Sequence, residues 1–531
     1  MSSYVIAIGG TGNKILESIV YAACADAFYT VDEKGRRVPI DKLDMLSVDV
    51  DAACGNTTRA KRAAEYYEQV RESFAVSPYR RSCFHTEVSV DRWSMNLSKR
   101  AASVRQMARS HSRDQLLART LFSATEAALE YSEGFRGHPD LGVLFFAEML
   151  GSLDEARESG QPDELNALLD RMDQDIANDE TVHLMLCGSI FGGTGASGIP
   201  ALSKFLHARY ANRRDKFVMG SMLMLPYYSV PAANVDETQE IAVNSDEFLD
   251  KARTALQYYG MESMVRESDT DPNGIFDAVY LLGLPPEYFV STRIYSTGSQ
   301  SQENDAHMLE WLATRCIARF MRTGFRGTDA HNIDCYYYQW HTPTFSWASF
   351  DEEAPYYQAR YGGLMKAAAV YLSECYPTFQ KRVIRNSRAA AHVSYCAPFF
   401  WRFRQYSAAQ RAQLENRLDA LYQFFAFYVN WFTQLTGTLP PALCEADGSN
   451  GLMNQPLLNA LLQVLSDPQT RTACETVQRG MNHLIVSTVP DRRDMSAVLR
   501  RLGGTECDPR TPDAALSAFL TALMQAVWDD R

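Results

Sequence analysis

The chain has 531 residues, 46% hydrophobic and 22% charged, which is ordinary globular usage and enough length for two to four domains around a large core. Its 64 acidic against 52 basic side chains give a formal charge of −12. That balance excludes an extended nucleic-acid surface unless a local basic patch opposes it, and none is visible.

The 11 cysteines, spread from Cys24 to Cys507, form no C-x-x-C pair and no Cys/His cluster at zinc spacing, as expected of reduced, mostly buried thiols in a cytosol. The opening "MSSYVIAIGG" has no basic region ahead of its apolar stretch and turns glycine-rich too early for a secretion signal, so a cytoplasmic location is expected. Tyr4 to Ile8 reads as a buried strand and Gly9 to Gly12 as a tight loop. Ile15, Leu16, Ile19, Val20 and Ala23 then follow at helical spacing. "KLDMLSVDVD" is a second strand ending in Asp49 and Asp51. From Thr58 to Gln115 the chain is polar and arginine-rich, with "RAKRAAEYYEQVR" and "KRAASVRQMARSHSR". It is expected to be a helical insertion without strands, either a partner surface or a solvated face.

Leu116 to Glu130 is helical again and stops at "GFRGHPDLG". A further helix leads to the strand "TVHLMLCG", a second glycine loop and the helix "IPALSKFLHARY". "KFVMGSMLMLPYY", "DEFLDKARTALQYYG" and "FDAVYLLG" continue as strand, helix and strand. Such alternation predicts an α/β fold, a mostly parallel sheet flanked by helices on both faces. "ENDAHMLEWLATRCIARFM", about residues 303–322, reads as one long helix, with Cys316 a core position.

These elements make a first domain, 1–335, and a mainly α-helical second one, 336–531, which opens on Tyr336, Tyr337, Tyr338 and Trp340. Its longest pattern, "AQLENRLDALYQFFAFYVNWFTQL", is a core helix and not a membrane span, because Gln423 and Asn430 interrupt it. The uncharged window Leu184 to Leu202 is likewise broken by glycines and Pro200. Phe399, Phe400, Trp401 and Phe403 suit packing or an interface. His331 and His341 lack a third ligand at useful spacing, so no metal site is read there.

The quartet GGTG occurs twice, at Gly9 to Gly12 and Gly192 to Gly195. Two strand-GGTG-helix units on one parallel sheet place two helix amino termini at the same carboxyl edge, where open α/β sheets bind ligands. Unpaired N–H groups, partial positive charge and the absence of Cβ atoms suit a polyphosphate; a pair of tight turns is the plainer reading. Gly193, Gly195 and Gly198 satisfy G-x-G-x-x-G, but "FVMGSMLMLPYY" ends without the acid that would hold a ribose. A dinucleotide oxidoreductase therefore loses support. The first loop fails the phosphate-loop pattern, since Lys14 follows Asn13 and Ile15 stands where Ser or Thr would hold magnesium.

In order and content these segments resemble the tubulin and FtsZ superfamily, and within it the bacterial tubulin-like proteins. The first loop is similar to the family's initial glycine loop and "SVDVDAACGNTTR" to its acidic second loop. "GFRGHPDLGVLFFAE" is similar to the third loop, and "GSIFGGTGASG" to the signature GGGTGTG, with Phe191 at its first glycine. The resemblance implies GTP or GDP as ligand. Its phosphates would lie on Gly9, Gly10, Thr11, Gly12 and Asn13 and on Gly192, Gly193, Thr194, Gly195 and Ala196. Gly137, Pro139 and Gly142 would close around the γ-phosphate. Asp49 or Asp51 would lie near the sugar or a magnesium shell, unless they are plain strand-end acids. Asn304 or Asp305, with Asn244 behind them, would meet the base or else cap a helix.

In that family hydrolysis is completed by an acidic loop from a neighbouring subunit, which implies self-association. The corresponding stretch, "RTGFRGTDAHNIDCYYY", offers Asp329 and then Asp334 but does not reproduce the FtsZ pattern Asn-x-Asp-x-x-Asp. The helical texture after "YGGLMKAAAVYLS" also departs from the family's mixed activation domain. A self-assembling GTPase and a non-hydrolysing nucleotide-binding subunit of a hetero-complex are both open. The insertion or the carboxyl-terminal domain would serve a protein partner, and neither nucleic-acid binding nor membrane insertion is expected.

Overall fold

The computed structural model describes residues 2–51, 54–75, 83–95, 103–107, 112–135, 137–230, 245–261, 264, 274–291, 304–323, 344–380, 393–440, 444, 450–467, 470–487 and 493–528. Six strands form its main sheet: β1 (Ser2–Ile8), β2 (Lys42–Val48), β3 (Glu87–Arg92), β4 (Val182–Ser189), β5 (Phe217–Met224) and β6 (Ala278–Leu282). Their order is β3-β2-β1-β4-β5-β6, and every pairing is parallel. The inner strands β4 and β5 are buried along their whole length, as a sheet covered on both faces requires.

β3 corrects the expectation of a purely helical insertion. Among the described residues of that stretch α2 (Gly55–Arg71) is the long helix; "EVSVDR" then pairs in register with β2, Val88 against Leu43. It is an edge strand of six residues, five of them half-exposed and Val88 buried, too short and too charged for its alternation to stand out. The helical stretch from Leu116 also divides. Helices Ser112–Leu121 and Ala124–Ala128 are separated at Ser123, which closes a capping box with Glu126.

Strand order reverses between β1 and β4, which run side by side with Ile8 opposite Gly188. The crevice outside their carboxyl ends is the topological switch point. Each of the two strands feeds a glycine loop and a helix, α1 (Gly9–Cys24) after β1 and α5 (Gly193–Arg209) after β4. Around them lie α3 (Pro139–Gly151), α4 (Glu164–Ala177) and α6 (Phe248–Met261). The long helix α7 (Met308–Thr323) starts a few residues later than its pattern predicts, leaving 304–307 without regular structure.

The carboxyl-terminal part is helical, with α8 (Ala354–Val370), the 30-residue α9 (Ala408–Gly437) and α10 (Pro512–Val527) as its main members. Between Tyr371 and Cys375 the chain beyond α8 makes a π-helical turn. α9 lies against α1 and α2. The Trp431 ring is 4.9 Å from that of Tyr21 and its indole N–H donates to Ser18 Oγ at 3.2 Å, while Phe427 meets Tyr66 at 5.6 Å. Trp311 of α7, fully buried, joins the two parts: Phe350, Tyr361 and Phe432 surround it at 4.6, 5.0 and 5.7 Å. Phe399, Phe400 and Phe403 are packing residues, whereas Trp401 is exposed. Every described cysteine is a free thiol. Among the described residues no helix is long and apolar enough to cross a membrane.

Candidate functional site

A cleft with about 1180 Å³ of free space, part of it open to solvent, occupies the switch point. Gly9, Gly10 and Thr11 line it from one side and Gly192, Gly193, Thr194 and Gly195 from the other, with Ser189 at the end of β4 between them. The two loops touch: a Cβ built on Gly9, whose φ is +75°, would lie 3.3 Å from Thr194 Cβ. Neither α1 nor α5 has a side chain capping its first turn, so both helix starts offer backbone donors to whatever fills the cleft. The third loop closes the same side. Gly134, Phe135 and Gly137 line the cleft, and the Lys251 ammonium of α6 donates to the Gly137 carbonyl at 3.1 Å.

Asp49 and Asp51, just past β2, form the acidic wall. Both are almost fully buried, and the Asp51 backbone N–H donates to Asp49 Oδ1 at 3.2 Å. Burial first, and the neighbouring Asp51 charge second, push the Asp49 carboxyl up to about 7. Opposite lie Tyr227, Tyr228, Phe248, Val290 and Ser291.

The remaining wall is the chain leading into α7. Asn304, Asp305 and His307 line the cleft, together with Thr438 from the end of α9. This segment is held from three sides. The Asn304 N–H donates to Asn56 Oδ1 at 3.0 Å, the Ala306 N–H to Gln434 Oε1 at 3.0 Å, and the Thr438 hydroxyl to the Ala306 carbonyl at 3.1 Å. Asn304 Oδ1 is buried without a hydrogen-bond partner among the described residues. His307 is buried too; desolvation and then the Lys14 charge push its imidazole down to about 3, so it is neutral.

Of the residues expected to meet a ligand, Gly9, Gly10, Thr11, Asp49, Asp51, Gly137, Gly192, Gly193, Thr194, Gly195, Asn304 and Asp305 are thus brought together in one cleft. Five others do not line it. Gly12 is pressed between β1 and β4, where an added Cβ would sit 2.9 Å from the Ala7 carbonyl carbon and 2.9 Å from Cys187 O. Asn13 is completely buried behind the loop, donating to the Gly9 carbonyl at 3.1 Å and accepting from the Ser47 hydroxyl at 2.6 Å. Pro139 opens α3, Gly142 packs on Ser197, and Ala196 lies outside the lining on α5. Asn244, Asp329 and Asp334 lie outside the described residues.

Sequence reasoning missed Lys14, Asn56, Ser189, the two tyrosines, His307 and Thr438 as cleft residues, and Glu310 just behind it. Lys14 carried a legible signal: a lysine inside the apolar stripe of α1 needs a buried carboxylate. Among the described residues no group of three His, Cys, Asp or Glu is arranged to hold a metal ion.

No protein-family model matches the chain, and no curated protein matches it. Among solved structures it is similar to CetZ2 from Haloferax volcanii, described as a GTPgS-bound protofilament. Identity is 12%, and the match covers 60% of this chain and 56% of that one with a TM-score of 0.26. The chain therefore matches little more than half the length of that protein, and the reading below rests on its own residues.

Proposed function

We propose that the chain is a nucleotide-binding protein whose cleft takes a nucleoside polyphosphate, and more closely a tubulin/FtsZ-like GTP-binding protein. One observation carries this reading: two glycine-led, side-chain-uncapped helix starts converge on a single cleft at the switch point of a parallel sheet. The residues present fit such a ligand. A Cβ on Gly10 would meet only Asn56 Nδ2, at 3.8 Å, so this part of the loop is open to close approach by phosphate oxygens. At the far wall the unpartnered Asn304 Oδ1 is an acceptor suited to the N–H edge of a guanine, and the tyrosine pair supplies aromatic faces. Asp49 and Asp51 would hold, through water, a magnesium ion arriving with the nucleotide.

In this reading the helix starts bind and orient the phosphates, and the buried wall excludes water from one side of them. Hydrolysis would need a carboxylate to orient the attacking water. Asp329 and then Asp334 are the candidates, acting on the nucleotide of a neighbouring copy in a self-associated assembly. A second reading keeps the nucleotide as a structural or sensing ligand without turnover; it is favoured by the missing Asn-x-Asp-x-x-Asp pattern before Cys335.

The test begins with the nucleotide that co-purifies with the protein, identified by chromatography, and with titration of GTPγS, GDP and ATPγS. Guanine nucleotides binding well ahead of adenine support the reading; retained NAD or FAD, or no nucleotide affinity, overturns it. Phosphate release is then measured against protein concentration for the wild type, Asp329→Ala and Asp334→Ala. Specific activity rising with concentration and lost in one variant supports interface hydrolysis. Bound GTP with no turnover at any concentration supports the second reading.

A further inference from the structure

The chain leading into α7 ends in a cap of uncommon chemistry. His307 directly precedes Met308, the first residue of α7, and its ring Nδ1 accepts the Leu309 N–H at 3.2 Å. Glu310, in the first turn of α7, completes the arrangement: its Oε2 accepts the His307 backbone N–H at 2.8 Å. The two residues close the helix start reciprocally, as a capping box does. Serine, threonine, aspartate or asparagine is the usual residue in this place, and none of them leaves a ring nitrogen over.

On His307 the second nitrogen has a defined state. The ring is neutral, so with Nδ1 accepting, its single proton stands on Nε2. The shape of an imidazole turns that N–H away from the backbone that Nδ1 caps. His307 is 2% exposed and lines the cleft, yet Nε2 has no hydrogen-bond partner among the described residues. A buried donor without an acceptor destabilises the empty protein, so its place on a cleft wall points to an acceptor that arrives with a ligand.

The donor is also held in place. The Tyr227 ring lies 4.8 Å from the imidazole, centre to centre, and α9 fixes the preceding residue, Ala306, through Gln434 and Thr438. Three residues earlier on the same wall stands Asn304 Oδ1, an acceptor equally without a partner among the described residues. With the phosphates on the glycine loops, this donor and this acceptor are left to the base. Guanine carries an acceptor, O6, beside a donor, N1–H, whereas adenine carries an amino donor at the same position as O6.

We infer that His307 reads the base: its Nε2–H donates to O6 of a bound guanine while Asn304 Oδ1 accepts N1–H, and the same Nε2–H opposes the amino group of adenine. This rests on the nucleotide reading above. It adds a source of base selection in the cap of α7, set in position by the carboxyl-terminal half. A site built to hydrogen-bond one group rejects the analogue that leaves its donor unpaired.

The experiment measures dissociation constants for GDP, ADP and 7-deaza-GDP in the full chain. His307→Ser keeps a capping oxygen and His307→Phe keeps a ring; both lack the donor. In each, GDP is expected to weaken by about tenfold, the scale of one buried hydrogen bond, while ADP holds or tightens, so that the preference for GDP narrows by about tenfold or more. On the wild type 7-deaza-GDP, which lacks N7 but keeps O6, should bind within about threefold of GDP. A preference unchanged in either variant, or parallel losses for GDP and ADP, overturns the inference. A wild-type loss for 7-deaza-GDP that disappears in the variants gives the donor to N7 and overturns it too. Magnetic resonance of the wild type with isotope-labelled histidine needs no variant: one ring N–H signal should move downfield as GDP saturates the protein, and no ring N–H signal responding also overturns the inference. A wild type that binds no guanine nucleotide, or prefers ADP, overturns the guanine-nucleotide reading instead.

Discussion

Gly12→Ala and Gly10→Ala, two residues apart on one loop, should fail in different ways. At position 12 a methyl would lie 2.9 Å from the Ala7 carbonyl carbon and 2.9 Å from Cys187 O, whereas carbon contacts are comfortable at about 3.5–4.0 Å. Both obstacles are backbone of the inner strands β1 and β4, each laddered on both sides, so neither can swing away. Overpacking of this kind costs about 1–3 kcal/mol, and a rigid backbone clash belongs at the upper end; better helix propensity returns at most about 1 kcal/mol. A net loss of about 2 kcal/mol is expected, which moves a urea midpoint by roughly 0.5 M or somewhat more at an m-value near 3 kcal/mol/M.

At position 10 the methyl meets only Asn56 Nδ2 at 3.8 Å, ordinary contact distance, but it stands on the cleft wall. Its midpoint should be unchanged while GTPγS affinity falls about tenfold or more, by the loss of one or two close backbone contacts to charged oxygens. Urea unfolding followed by tyrosine and tryptophan fluorescence, alongside nucleotide titration, reads both quantities. An unshifted midpoint for Gly12→Ala, or a Gly10→Ala variant as unstable as Gly12→Ala, would refute the reasoning.

Asn13→Ala should behave as a stability variant: it strips the Ser47 hydroxyl and the Gly9 carbonyl of buried partners and is expected to cost about 1–3 kcal/mol in urea unfolding. Trp431→Ala opens the seam between α9 and α1 and should cost about 3–5 kcal/mol by the same assay. Asp49 gives a pH dependence of definite sign. Its folded value, about 7, lies above the ordinary 3.8, so the native state binds the extra proton and stability falls as pH rises from about 4 to 7. The slope is at most about 1.4 kcal/mol per pH unit, and Asp49→Asn should flatten that part of the ligand-free stability profile; a profile unchanged by the substitution would show that burial does not act on this carboxyl.

The sheet and the glycine loops were legible because their signals are local: apolar runs of strand length, each followed by glycines and a helical stripe. Convergence of the loops also followed, since β1 and β4 being parallel neighbours leaves their loops one place to go. What escaped was whatever depends on partners far along the chain. The resemblance groups Asn13 with the phosphate loop, yet the Ser47 hydroxyl on β2 draws it away from the cleft. In the sequence Lys14 reads only as a mismatch to a phosphate loop, because its carboxylate, Glu310, lies in a helix hundreds of residues on. β3 was hidden by the charges of an edge strand, and the irregular chain before α7 by acidic and polar residues that resemble a helix start.

α9 spans about 45 Å at the usual rise per residue. Within that length Phe424, Tyr428 and Trp431 pack on Tyr21 of α1, and near its end it supplies Gln434 and Thr438 to the chain before α7. A fragment ending near residue 335 would expose Tyr21, Tyr66 and Trp311 to water and release one wall of the pocket. The half that carries the sheet is thus no minimal unit for expression: its pocket and its buried aromatics are completed by the helical half.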